Sequence, residues 1–131
     1  MPCRFYPILL LVFLAACSNS NVAGLGHSWV QAVSQKDDAS VSQLYHPQLR
    51  ACAENKVQMV EAVGLPSGDP KVRVYELPEE QRRRSVEAGL PVEQRWLIVL
   101  AWDAQQRQIQ LPAGELDGKP VLLADCLDRK R

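Results

Sequence analysis

Three sets of residues in this 131-residue chain have the chemistry to form or break bonds: four cysteines, a serine beside a histidine, and a second histidine next to a tyrosine. The stretch Gly26-His27-Ser28-Trp29-Val30 begins like the G-x-S-x-G elbow that exposes a nucleophilic serine. It has Val30 where the second glycine must allow the sharp turn, and no strand can precede it, so Ser28 reads as an early-turn helical residue. His27 and His46 have no carboxylate or thiol at ligand spacing beside them, so no metal site and no cofactor is expected. No residue is assigned a catalytic role. Trp29, Trp96 and Trp102 could line a ligand cavity, but large aromatics in a small domain serve the core first.

The leader is the most specific feature. Met1-Pro2-Cys3-Arg4 is a short head with one positive charge, and residues 5–16 run without a charge. A dozen apolar residues suit a signal-peptide core, whereas a spanning helix needs about 20. The run ends in Leu14-Ala15-Ala16-Cys17, which resembles the lipobox of bacterial lipoproteins. That resemblance implies cleavage before Cys17, diacylglycerol on its thiol and an acylated amine, and two or three chains give lasting attachment where one gives marginal binding. It divides the chain into a signal peptide (1–16), a lipidated cysteine with a polar tether (17–24) and one folded domain (25–131). Ser18 after the cysteine, in place of Asp, implies sorting to the outer membrane, with the body on its periplasmic face.

Cleavage removes Cys3, and acylation consumes Cys17, leaving Cys52 and Cys126 in the folded body. In an oxidising periplasm two leftover thiols usually pair, and the alternative is two separate buried thiols. A bridge would close a loop of about 75 residues, worth up to about 4.5 kcal/mol in the chain-entropy model. No C-x-x-C spacing exists to support a redox role. Loss of the leader leaves a net charge of about −1. A near-neutral chain has no electrostatic reason to seek nucleic acid. The run Arg82-Arg83-Arg84, flanked by Glu79, Glu80 and Glu87, reads as a solvated, self-compensated segment.

The elements that must position these residues follow from periodicity. Leu25, Trp29, Ala32 and Val33 form one apolar stripe of a first helix, broken at Asp37-Asp38. Ser40-Val41-Ser42-Gln43 has the capping-box form that starts a second, which must stop at His46 before Pro47. Residues 49–52 suit a brief extended piece. Asn55 is placed to cap a third helix buried through Val57, Val60 and Val63 and ended by Gly64 and Pro66. Strands are predicted over 71–77, 95–102, 107–111 and 121–126, with a bulge or edge position at Pro112 and Gly114 and a hairpin at Asp117-Gly118. Trp96 and Trp102 share a parity, so they share a strand face with Ile98 and Leu100. Residues 78–91 read as a long charged connection. Three helices before about four strands predict an α+β fold, with helices on one face of a curved antiparallel sheet.

The opening Trp29-Val30-Gln31-Ala32-Val33, the break at Asp37-Asp38, the ending Leu44-Tyr45-His46-Pro47 and the final strand–turn–strand around Asp117-Gly118 resemble NTF2-like (cystatin-like cone) domains. The connection over 78–91 departs from their tight strand links. The resemblance implies a pocket between sheet and helices, with Tyr45 and His46 at its open end and Trp96 and Trp102 in its lining. A carboxylate facing them would come from Glu61, Asp103, Glu115 or Asp125, with Glu61 at the edge of the buried stripe. Two functions follow. The first is a non-enzymatic accessory lipoprotein that binds an envelope protein or a small apolar ligand. The alternative is an NTF2-like acid–base enzyme on a small hydrophobic substrate, which needs a cavity of roughly several hundred Å³ with two polar groups in reach.

Overall fold

A computed structural model describes residues 10–124, with side chains from residue 21 onward. The described chain is α+β, with four helices and a four-stranded antiparallel sheet. Helix α1 spans Leu10–Ser34, α2 Asp38–Gln43 and α3 Arg50–Val63, with a 3-10 turn over Pro47–Leu49. Strand β1 (Lys71–Glu76) is followed by α4 (Glu79–Glu87), then β2 (Gln94–Trp102), β3 (Arg107–Leu116) and β4 (Lys119–Leu122). The strands lie in the order β1-β2-β3-β4, a meander with no crossover.

One face of β2 carries the core. Trp96, Ile98, Leu100 and Trp102 are all buried, as their shared parity requires. The register sets Val72 and Val74 beside Leu100 and Ile98 on one side, and Ile109 and Leu111 beside them on the other. Helix α1 lies on this face through Val22, Trp29, Ala32 and Val33. It approaches closely at Gly26, where a Cβ would stand 3.0 Å from Ile98 Cγ2 and 3.2 Å from both Leu100 Cδ2 and Val72 Cγ1. That contact accounts for the glycine of Gly26-His27-Ser28. Ser28 is exposed in the middle of α1, far from any strand-to-helix turn.

Several boundaries differ from expectation. Val22, assigned to the tether, is 1% exposed, and the helix runs unbroken through residues 17–24. Asp37 is the N-cap of α2, accepting from the Ser40 N–H at 3.2 Å and the Ser40 hydroxyl at 2.6 Å. Residues 49–52 are a 3-10 turn running into helix, because α3 begins at Arg50 and Asn55 falls inside it. Of the three expected buried valines of α3, Val57 is buried and Val60 half-buried, but Val63 is 73% exposed. The connection after β1 contains α4, which buries no side chain. Its Glu79 and Glu80 sit in the first turn and Arg84 in the last, where they complement the helix dipole. The bulge lies in β2, where Arg95 is the extra residue between Gln94↔Gly114 and Trp96↔Ala113. The expected strand over 121–126 begins earlier, at Lys119, and residues 125–126 lie outside the described residues.

Candidate functional site

Tyr45 and Trp29 make the one buried side-chain hydrogen bond among the described residues that links helix to connection. Trp29 comes from the inner stripe of α1 and is 2% exposed. Tyr45 follows α2 in a short extended step. The Leu122 N–H donates to Leu44 O at 2.8 Å and the His46 N–H to Leu122 O at 2.9 Å, giving an isolated parallel bridge between Tyr45 and Leu122. So held, the Tyr45 hydroxyl accepts from Trp29 Nε1–H at 3.1 Å. Burial pushes the phenol up to about 12, with the indole hydrogen bond acting against that rise. At neutral pH it is a fixed neutral acceptor and no base.

His46, expected at the open end of a pocket, is 5% exposed. Its Nδ1 accepts from the Gln48 N–H at 3.1 Å and caps the 3-10 turn that Pro47 opens. An accepting Nδ1 places the ring proton on Nε2. This histidine therefore holds the corner between α2 and α3.

The five residues named for a pocket do not converge. Glu61 lies eleven residues along α3 from Arg50, about 16 Å at helical rise. It borders a groove of about 220 Å³ with Val33, Ser34, Lys36 and Gly64, and its buried Oε2 has no hydrogen-bond partner among the described residues. Trp96 and Trp102 stand six residues apart on β2, roughly 20 Å. Trp96 lies under the Arg95 guanidinium, 5.0 Å from its ring centre, while Trp102 donates to Gly68 O at 3.1 Å and fixes the loop before β1. Asp103 pairs with Lys71 at 2.9 Å on the surface, and that hydrogen bond holds its carboxyl below the usual range. Glu115 faces Arg95 at 3.6 Å. Asp125 lies outside the described residues.

The space in the molecule is at its margins. Beside Tyr45, under Val41, Ala53 and Val57, the cavity is about 10 Å³, room for about one water. A groove of about 270 Å³ runs between α3 and β3, bordered by Lys56, Val57, Val60, Ile109, Leu111 and Ala124. A wider one of about 580 Å³ separates α1 from the loop at Pro66 and Pro70 and is edged by His27, Gln31, Ser34 and Asp69. Among the described residues, no three His, Cys, Asp or Glu side chains stand close enough to hold a metal ion. Cys52, the one cysteine whose side chain is described, is not a free thiol and is half-buried against the core. The Arg82-Arg83-Arg84 run sits on α4, where Arg84 pairs with Glu80 at 2.6 Å and Arg82 lies 3.9 Å from Glu93.

Sequence reasoning missed the Trp29–Tyr45 bond and the close approach at Gly26. Neither has a local signal, because each joins residues that only the tertiary fold brings together. No protein-family model, curated protein or solved structure matches the chain.

Proposed function

We propose that this protein is an envelope lipoprotein, acylated on Cys17, whose small α+β body acts as a non-enzymatic accessory domain close to the membrane. The observation that carries the reading is Leu14-Ala15-Ala16-Cys17 at the end of a charge-free run. One structural feature bears on it. Val22 is already buried in the core, so a body fastened at Cys17 has almost no slack. No helix among the described residues is long and apolar enough to cross a membrane. Ser18 favours the outer membrane, with the body facing the periplasm, and Cys52 with Cys126 is the pair expected to bridge there. The partner is an envelope protein or a small apolar ligand, with no part for nucleic acid. The order of helices before a meander suits the NTF2-like cone resemblance. The acid–base reading would need Glu61 or another carboxylate within reach of His46, whose Nδ1 is committed to Gln48.

The test is Cys17→Ser. Metabolic labelling with palmitate and detergent partitioning should both be lost, and the chain should accumulate unprocessed. A serine variant that still matures and enters the detergent phase overturns the proposal.

A further inference from the structure

We infer that the open edge of β1 is a docking surface for a second copy of this chain, paired antiparallel about Val74. Strand β1 stands at one end of the sheet and pairs only with β2, while β4 lies at the other end. The Leu77 N–H donates to Arg95 O at 2.9 Å, which fixes the phase of the β1–β2 ladder. Tyr75↔Leu97, Arg73↔Val99 and Lys71↔Ala101 are its hydrogen-bonded pairs. The N–H and C=O groups of Val72, Val74 and Glu76 therefore point outward, and none has a backbone partner among the described residues.

Little guards this edge. Natural sheets blunt an open strand with proline, a bulge or charge. Strand β1 has no proline and no bulge, which leaves Lys71 and Arg73 on the face away from the helices. Lys71 is tied to Asp103 at 2.9 Å, and Arg73 forms no ion pair among the described residues. Tyr75 stands on the same face as Arg73, its ring 48% exposed.

The edge is complementary to itself. Only Val72, Val74 and Glu76 offer outward groups within β1, so a twofold pairing must match these residues with one another. Centred on Val74, it sets Val74 against the partner's Val74 and Val72 against the partner's Glu76. Each Arg73 then lies opposite the partner's Tyr75, where a guanidinium can rest on the ring. Lys71 falls opposite the partner's Leu77, so no like charges meet. A slip of two residues one way opposes Arg73 to the partner's Arg73. The same slip the other way opposes Val72 to the partner's Pro78, which has no N–H to give. Charge and hydrogen bonding therefore select one register, with the helices of both copies on one side of a continuous sheet. A six-residue strand covers far less than the roughly 1,200 Å² of a stable interface, so the pairing needs high local density. It does not depend on the lipid anchor.

The test is NMR on the full chain as isolated from cells, in detergent micelles, with differently labelled copies mixed. An Hα–Hα NOE is expected between Arg73 of one copy and Tyr75 of the other, a close, non-hydrogen-bonded pair. Raising the protein from about 0.05 mM to about 1 mM at fixed detergent should slow exchange at the Val72, Val74 and Glu76 amides by about threefold or more. The Arg73 and Tyr75 amides, bonded to β2 in either state, should change little. Tyr75→Lys, at an exposed site, sets like charges opposite each other and should weaken the pairing by about tenfold or more. Exchange at Val72, Val74 and Glu76 that does not depend on concentration overturns the inference, and protection at every concentration would mean that one chain covers its own edge. Concentration-dependent protection without the Arg73–Tyr75 NOE also overturns it, as does a Tyr75→Lys chain that pairs as tightly as wild type.

Discussion

Raising the pH should loosen this fold through one phenol. Tyr45 is 5% exposed and its hydroxyl is shifted from 10.0 to about 12. Between those values the unfolded chain releases the phenolic proton while the folded chain keeps it. The folded state then binds more protons, so stability falls as pH rises. Tyr45 thus contributes fully below pH 10, and its contribution is lost as the pH passes through 12. Two units correspond to about 2.7 kcal/mol, with about half gone near pH 11. Tyr45→Phe cannot titrate, but it leaves the buried Trp29 Nε1–H without its acceptor, at a cost of about 1–3 kcal/mol. Urea unfolding of both proteins, followed by tryptophan fluorescence at intervals from pH 8 to 12, separates the two effects. The wild type should lead by about 1–3 kcal/mol at pH 8, and that lead should shrink by roughly 2 kcal/mol or more by pH 12. Parallel stability curves between pH 9 and 12 would refute the argument, because the lysines and arginines common to both proteins cancel in the difference.

The glycines supply further tests. Gly24 has nothing within 4 Å of an added Cβ, so Gly24→Ala should raise stability by about 1 kcal/mol through helix propensity alone. Gly26→Ala gains the same propensity but presses on Ile98, Leu100 and Val72, and overpacking of about 1–3 kcal/mol should leave it neutral to destabilised. The contrast reads out in urea midpoints, and equal gains at both positions would contradict the close helix–sheet approach. Gly114→Ala should be worse than either, losing about 1–3 kcal/mol or more, because its Cβ would stand 2.6 Å from the backbone oxygen of Glu93. A thermal midpoint within a degree of wild type would show that the bulge region yields freely.

The sheet was legible in the sequence because its signals are local. Alternation marked β1, the shared parity of Trp96 and Trp102 marked the inner face of β2, and Asp117-Gly118 marked the last hairpin. Asp117 and Gly118 do adopt positive φ, 53° and 79°, as a two-residue turn of this kind requires. Helix α4 was illegible because nothing on it is buried, so no apolar stripe records its period. The start of α3 misled for a related reason. Asn55 has the chemistry of a cap, yet Leu49 holds the N-cap position with no side-chain hydrogen bond. Tyr45, His46, Trp96 and Trp102 were named for a pocket, and each spends its polar atom or its ring on structure: a buried bond, a cap, a cation and a loop carbonyl. Sequence spacing cannot distinguish that use from a shared cavity.

Under the proposed acylation of Cys17, the burial of Val22 has a mechanical consequence. The two residues lie five helical steps apart, about 8 Å of rise. A body moored on so short a line would ride against the lipid headgroups. Whatever it met would then lie in the same membrane or arrive at its surface, and encounters would become a two-dimensional search along the bilayer.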